Sequence, residues 1–115
     1  MTEQQITTVK MLLRTLRKGK SYLHNGMCED GADKQMLRIS KQLGYETVPH
    51  PGGDAEQNRK RNREIVKVSD IVVTTPFGRN EMRRGSGTWM VIRETRRAAK
   101  PLYIVWPDGS HDLDW

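Results

Sequence analysis

The sequence lacks several features that would narrow its reading quickly. It has a single cysteine, Cys28, so no intramolecular disulfide can form, and that usage fits a reducing, cytoplasmic setting. No apolar run approaches the roughly 18 residues of a membrane span, and no signal-peptide pattern opens the chain. Membrane association is therefore not expected. Aromatic residues are few, with one Phe, three Tyr and three Trp, which argues against a base-stacking platform for single-stranded nucleic acid. There is no internal repeat and no linker, as expected of one domain of 115 residues. Hydrophobic residues make up 35% and charged residues 30%. That balance is polar, but the apolar residues cluster enough for a modest core.

Positive charge is in excess. Twenty Lys and Arg face 14 Asp and Glu, a net +6. Such an excess suits nucleic acid or a phosphorylated small molecule, and spread along a chain it also suits an ordinary solvated surface. Only Arg59-Lys60-Arg61-Asn62-Arg63 is dense. His24 and His50 fall at expected strand ends, but two histidines and one cysteine without close spacing are not the ligand set a metal needs. No metal and no cofactor are expected.

The hydrophobic periodicity predicts alternating helices and strands. Thr2 to Lys18 reads as a helix, with Ile6, Val9, Leu12, Leu13 and Leu16 in one stripe. Thr2 and Gln5 fit a capping box, and Gly19 a stop. Ser21–His24 is a short strand. Ala32 to Leu43 is a helix with Met36, Ile39, Ser40 and Leu43 on one side, ended by Gly44. Glu46–His50 is a strand, and Asn58 to Lys67 a helix with Ile65, Val66 and Val68 inward. Asp70 to Thr75 is a β-branched strand. Thr88 to Ala99 is a helix with Val91, Ile92 and Thr95 inward, and Pro101–Trp106 is the last strand. Pro107-Asp108-Gly109 is a turn, followed by a short tail. Strands joined through helices run parallel, and right-handed crossovers cover both faces. The expected fold class is α/β, a doubly wound parallel sheet of about four strands.

In such sheets ligands bind beyond the C-terminal strand ends. The loops there are Asn25–Asp33, His50–Asn58, Pro76–Gly87 and Pro107–His111, the polar and glycine-rich stretches of the chain. Within them, Arg83-Arg84-Gly85-Ser86-Gly87-Thr88-Trp89 stands between a strand and a helix. Free backbone N–H groups at a helix N-terminus favour an anion. The basic cluster at Arg59–Arg63 is placed in the first turns of its helix, where positive charge opposes the dipole. An anionic ligand nearby would relieve that cost.

The runs His24-Asn25-Gly26-Met27-Cys28-Glu29-Asp30-Gly31-Ala32-Asp33, Pro49-His50-Pro51, Arg61-Asn62-Arg63-Glu64-Ile65-Val66, Gly85-Ser86-Gly87-Thr88-Trp89 and Pro107-Asp108-Gly109 occur in that order. Together they resemble the SLOG superfamily of Rossmann-like domains, which includes the LOG proteins and the DNA-processing protein A. The likeness covers nearly the whole chain and is nearest to small stand-alone members of bacteria and their phages. It implies sensing or sequestration of a nucleotide or nucleotide-derived ligand, in a setting related to anti-phage defence. The expected binding residues are Asn25, Gly26, Gly31, Ala32, Asp33, Arg61, Asn62, Arg84, Ser86, Gly87 and Thr88. The resemblance places Arg61 on phosphate, whose geometry its planar fork suits, and Thr88 with the amides around Gly87 on a second anionic group. Asp33 either accepts from a ribose hydroxyl or caps its own helix. Trp89 either packs as the first apolar residue of its helix or stacks on a base.

Three departures from the family pattern matter. Members begin with a glycine-containing strand that this chain, starting at Met1-Thr2-Glu3, does not show. Either the start lies further upstream or the sheet closes without it, in which case the strands lie in the order 2-1-3-4 and the first and third pair directly. A gap there would expose unpaired backbone, a cost a partner chain could relieve; a homo-oligomer is expected. The Cys28-Glu29-Asp30-Gly31 turn is one residue longer than usual. Finally, Trp89, Met90 and Val91 stand where LOG hydrolases carry glutamates. Catalysis is therefore not expected, although Glu29 and Glu81 remain as loop carboxylates for an N-glycosidic hydrolase or transferase. Cys28 has no identifiable base. Single-stranded nucleic-acid binding is the main alternative to ligand binding.

Overall fold

The first apolar stripe forms α1 (Glu3–Leu16), which buries Val9, Leu12 and Leu13. Thr2 and Gln5 close its capping box in both directions. The structure is a computed structural model and describes residues 1–26, 32–80 and 87–114. After α1 come β1 (Tyr22–Gly26), α2 (Ala32–Gln42), β2 (Glu46–His50), α3 (Ala55–Val68), β3 (Val72–Thr74), α4 (Gly87–Arg97), β4 (Leu102–Val105) and β5 (His111–Asp114). The fold is α/β. Among the described residues no helix is long and apolar enough to cross a membrane.

The strands form two sheets, β1-β2 and β3-β4-β5. β1 pairs with β2 in parallel, from Tyr22 opposite Glu46 to Gly26 opposite His50. β3 pairs with β4 in parallel, and β4 with β5 antiparallel. The expected single parallel sheet is thus corrected in two places. First, β1 and β3 do not pair. Side chains of α3 on one side and of α1 and α2 on the other line a cavity of about 660 Å³ between them. Periodicity reports which face of a strand is buried, but not which strand lies beside it.

Second, the tail is a strand. The Trp106 amide donates to Ser110 O at 2.8 Å and the Gly109 amide to Trp106 O at 2.9 Å, turning the chain back along β4. Asp108 accepts from the amide and hydroxyl of Ser110, and these bonds hold its carboxyl below the ordinary range. The β5 sequence His111-Asp112-Leu113-Asp114 is mostly exposed. With neither face in the core it lacks the alternation by which strands are read.

β4 shows how the layers are arranged. Val105 packs with Val9, Leu12 and Leu13 of α1 and Ile39 of α2. Leu102 and Ile104 pack with Val72, Ile92 and Trp106 on the α4 side. Alternate residues therefore bury opposite faces, with helices on both.

Helix ends add one further correction. α3 starts at Ala55, with Asp54 and Gln57 in a full capping box, rather than at Asn58. The Arg59–Arg63 cluster therefore lies beyond the first turn, and the expected conflict with the helix dipole does not arise. α2 and α4 end alike. Tyr45 N bonds Ser40 O and Gly44 N bonds Lys41 O; Lys100 N bonds Thr95 O and Ala99 N bonds Arg96 O. Both are Schellman motifs, with Gly44 (φ +85°) in one and Ala99 (φ +54°) in the other.

Candidate functional site

The cavity between β1 and β3 runs along both strands, and its end at Gly26 gathers most of the expected site. Asn25, Gly26 and Asp33 line it from the first βα unit, Arg61 and Asn62 from α3, and Gly87 and Thr88 from the start of α4. Ala32 opens α2 beside them. Gly31, Arg84 and Ser86 lie outside the described residues, as do Cys28, Glu29, Glu81 and Arg83.

The Arg61 head lies close against two glycines. A Cβ added at Gly26 would come 2.9 Å from Arg61 Nη1 and 2.8 Å from Asp33 Oδ2. One added at Gly52 would come 3.1 Å from Arg61 Nη1 and 2.0 Å from Asn58 Oδ1. Neither glycine is among those with positive φ. They serve close approach rather than an unusual backbone, and let the guanidinium lie against the ends of β1 and β2. Asn58 in turn accepts from the Gly53 amide at 2.9 Å. Gly52 and Asn58 are not among the expected site residues. The only signal was the Pro51-Gly52-Gly53-Asp54 run, which reads equally well as a turn.

Asn62 links this arginine to α4. It is buried, at 7% exposure. Its Oδ1 accepts from Arg61 Nε at 3.1 Å, and its Nδ2 reaches Met90 Sδ at 3.9 Å. A Cβ at Gly87 would lie 3.7 Å from the same Nδ2. Asn25 is equally buried and donates from Nδ2 to Asp33 O at 2.9 Å, fastening the end of β1 to α2. The first turn of α4 holds no acidic side chain, so no carboxylate there offsets the positive helix end.

Other expectations are corrected. The Pro107–His111 turn does not line the cavity. It docks on α1, where Thr2 Oγ1 donates to Pro107 O at 2.7 Å and Thr8 Oγ1 to Gly109 O at 2.6 Å. Short side chains with hydroxyls draw this turn onto the helix. Trp89 packs 6.4 Å from Trp106 against the β4 core and is not a cavity residue; burying its ring accounts for that choice.

His24 lies within β1 rather than at its end. Its Nδ1 sits 3.0 Å from His50 Nε2. Gly26 is opposite His50 in register, so the two rings meet diagonally across the parallel pair. Burial first, and the neighbouring His50 charge second, push the His24 pKa below its ordinary value, while Asp70 pulls it back. Among the described residues no group of three His, Cys, Asp or Glu could hold a metal ion.

The chain matches no protein-family model, no curated protein and no solved structure.

Proposed function

We propose that this chain binds a nucleotide or nucleotide-derived ligand at the Gly26 end of the cavity, as a sensing or sequestering module of the SLOG type. The observation that supports this most directly is the meeting of Arg61 and Asn62 with Gly26, Asp33 and the Gly87–Thr88 start of α4. In this reading Arg61 pairs with a phosphate through its fork. The α4 amides and the Thr88 hydroxyl hold a second anionic group. Asp33 is the nearby acceptor for a ribose hydroxyl. The basic excess of the chain draws the anion in.

Isothermal titration against a panel of mononucleotides, cyclic nucleotides and ADP-ribose tests the proposal. Wild type is expected to bind at least one, and Arg61→Ala to weaken that binding about tenfold or more, the scale of one hydrogen bond to a charged group. Thr88→Ala weakens it less. If no member of the panel binds wild type, the proposal fails. Salt-sensitive binding of single-stranded DNA that Arg61→Ala leaves unchanged would favour nucleic acid instead. Release of free base from a nucleoside monophosphate, lost in Glu81→Gln, would favour an N-glycosidic enzyme.

A further inference from the structure

We propose that the slot between β1 and β3 receives an extended β-strand from another polypeptide, hydrogen-bonded to both flanking edges and apolar on both faces. The inference does not rest on the ligand reading, because it is argued from the strand edges and the apolar lining along the cavity; the two sites meet at Gly26.

The helical layers are in place on both sides of the slot, while the sheet layer is interrupted. Asn62, Ile65 and Val68 of α3 line one side, spaced three residues apart, with Val91 of α4 beside them. Leu13 and Leu16 of α1 line the other, with Met36 of α2. Between these layers β1 has β2 as its one strand neighbour and β3 has β4. Among the described residues, each strand therefore presents a second edge of backbone N–H and C=O groups to the slot. Both edges run the same way, since Arg61–Asn62 of α3 meets Gly26, the last residue of β1, and Gly87, the first residue of α4, the helix that follows β3.

The opening runs the length of both strands: the cavity, of about 660 Å³, is lined by residues 21–26 along β1 and 70–75 along β3. Exposed hydrophobics gather at its other mouth, where Tyr22 is 51% exposed and Val68 and Ile71 are each 40% exposed.

Only a peptide backbone offers donors and acceptors to both edges at the strand repeat, a mode known as β-augmentation. Apolar layers above and below require apolar side chains at successive positions, as in a central parallel strand. Lys18 and Lys20 line the same mouth as Tyr22, which favours acidic residues just before the inserted run. A second copy of this chain is a poor occupant. Its free edge strand β5 reads His111-Asp112-Leu113-Asp114, too charged for these walls.

The test uses a fluorescent peptide, Glu-Glu-Val-Ile-Val-Ile-Val-Gly, and a twin N-methylated at alternate Val and Ile positions. The twin keeps every side chain but loses donors on one edge. The expected result is saturable anisotropy with the first peptide, at least tenfold weaker binding of the twin, and slowed amide exchange at Tyr22–Gly26 and Val72–Thr74. Peptide binding is read with no nucleotide present, which keeps this test separate from that of the nucleotide site. The proposal is overturned if neither peptide binds, if the twin binds equally, or if those amides stay unprotected. A concentration-dependent dimer that protects the same amides without peptide would also overturn it, by showing a second copy in the slot.

Discussion

Gln5 ties α1 to the carbonyls at the ends of β3 and β4. It is 3% exposed. Its Oε1 accepts from the Thr2 amide at 2.9 Å, completing the capping box. Its Nε2 donates to Pro76 O at 2.9 Å and to Val105 O at 3.0 Å, the carbonyls that follow β3 and end β4. Gln5→Ala removes three bonds at about 1 kcal/mol each, so the expected loss is about 3 kcal/mol, more if the buried carbonyls find no water. For a urea slope of about 1.5 kcal/mol per molar, the unfolding midpoint falls by about 2 M. Gln5→Glu sharpens the test. A glutamate serves a capping box as well as glutamine does, but it cannot donate to the two carbonyls and sets a carboxylate against them. Its loss should equal or exceed that of Gln5→Ala. Thr2→Ala removes half the box and the bond to Pro107 O, about 1–2 kcal/mol. Near-wild-type stability for Gln5→Glu, or a loss in Gln5→Ala no larger than in Thr2→Ala, would refute the reasoning and reduce Gln5 to a capping residue.

Three further outcomes are expected. Lys100 Nζ donates to the carbonyls of Val66 and Lys67 at 2.7 Å and of Ser69 at 2.8 Å, closing the C-terminus of α3; Lys100→Met should cost about 1–2 kcal/mol in urea unfolding, allowing for its partial exposure, and speed amide exchange in the last turn of α3. Ala99 sits at φ +54°, so Ala99→Gly should relieve about 1 kcal/mol and raise the melting temperature by about 4 °C; no rise would count against strain there. His24 has a pKa lowered from 6.5 by burial and His50, so between those values the folded chain binds fewer protons than the unfolded one. Its contribution is full above the unfolded value and is lost as pH falls toward the folded one. His24→Gln should therefore flatten the drop in melting temperature between about pH 7.5 and about pH 5.

Much of the fold could be read from residue pattern because helices bury continuous stripes. Ile6, Val9, Leu12, Leu13 and Leu16 define α1 unaided, and Glu46–His50 is β2 as expected. Pairing between strands could not be read in this way. Tyr22-Leu23-His24-Asn25-Gly26 has the same sequence whether its free edge meets β3 or an open slot. The candidate site was legible only through the family resemblance, with the guanidinium fork of Arg61 the one part that could be argued from residue type. It was hidden where it depends on a neighbour. Gly52 matters because Arg61 lies against it, and His24 because the register brings His50 diagonally within 3.0 Å. Lys100, just beyond the helix read over Thr88 to Ala99, closes another helix 31 to 34 residues earlier in the chain.

Two sheets that share no strand pair still form one body because the helical layers span the break. On one side α1 and α2 bury Val9, Leu12, Leu13 and Ile39 against Val105 of β4. There the Tyr45 hydroxyl, just before β2, donates to Leu13 O of α1 at 2.5 Å. On the other side Asn62 of α3 touches Met90 of α4, and Lys100 reaches back to the end of α3. Apolar burial scales with area and does not need a continuous hydrogen-bond ladder, so the layers can close over an interrupted sheet. The backbone edges are different. Their N–H and C=O groups need partners in every state, and in an open slot that partner is solvent. An entering strand would exchange those bonds for protein ones at small net gain per bond. The gain in affinity would come from Leu13, Leu16, Met36, Ile65 and Val91 closing on its side chains. The two edges would instead set register and direction, because a one-residue slip turns every side chain to the opposite wall.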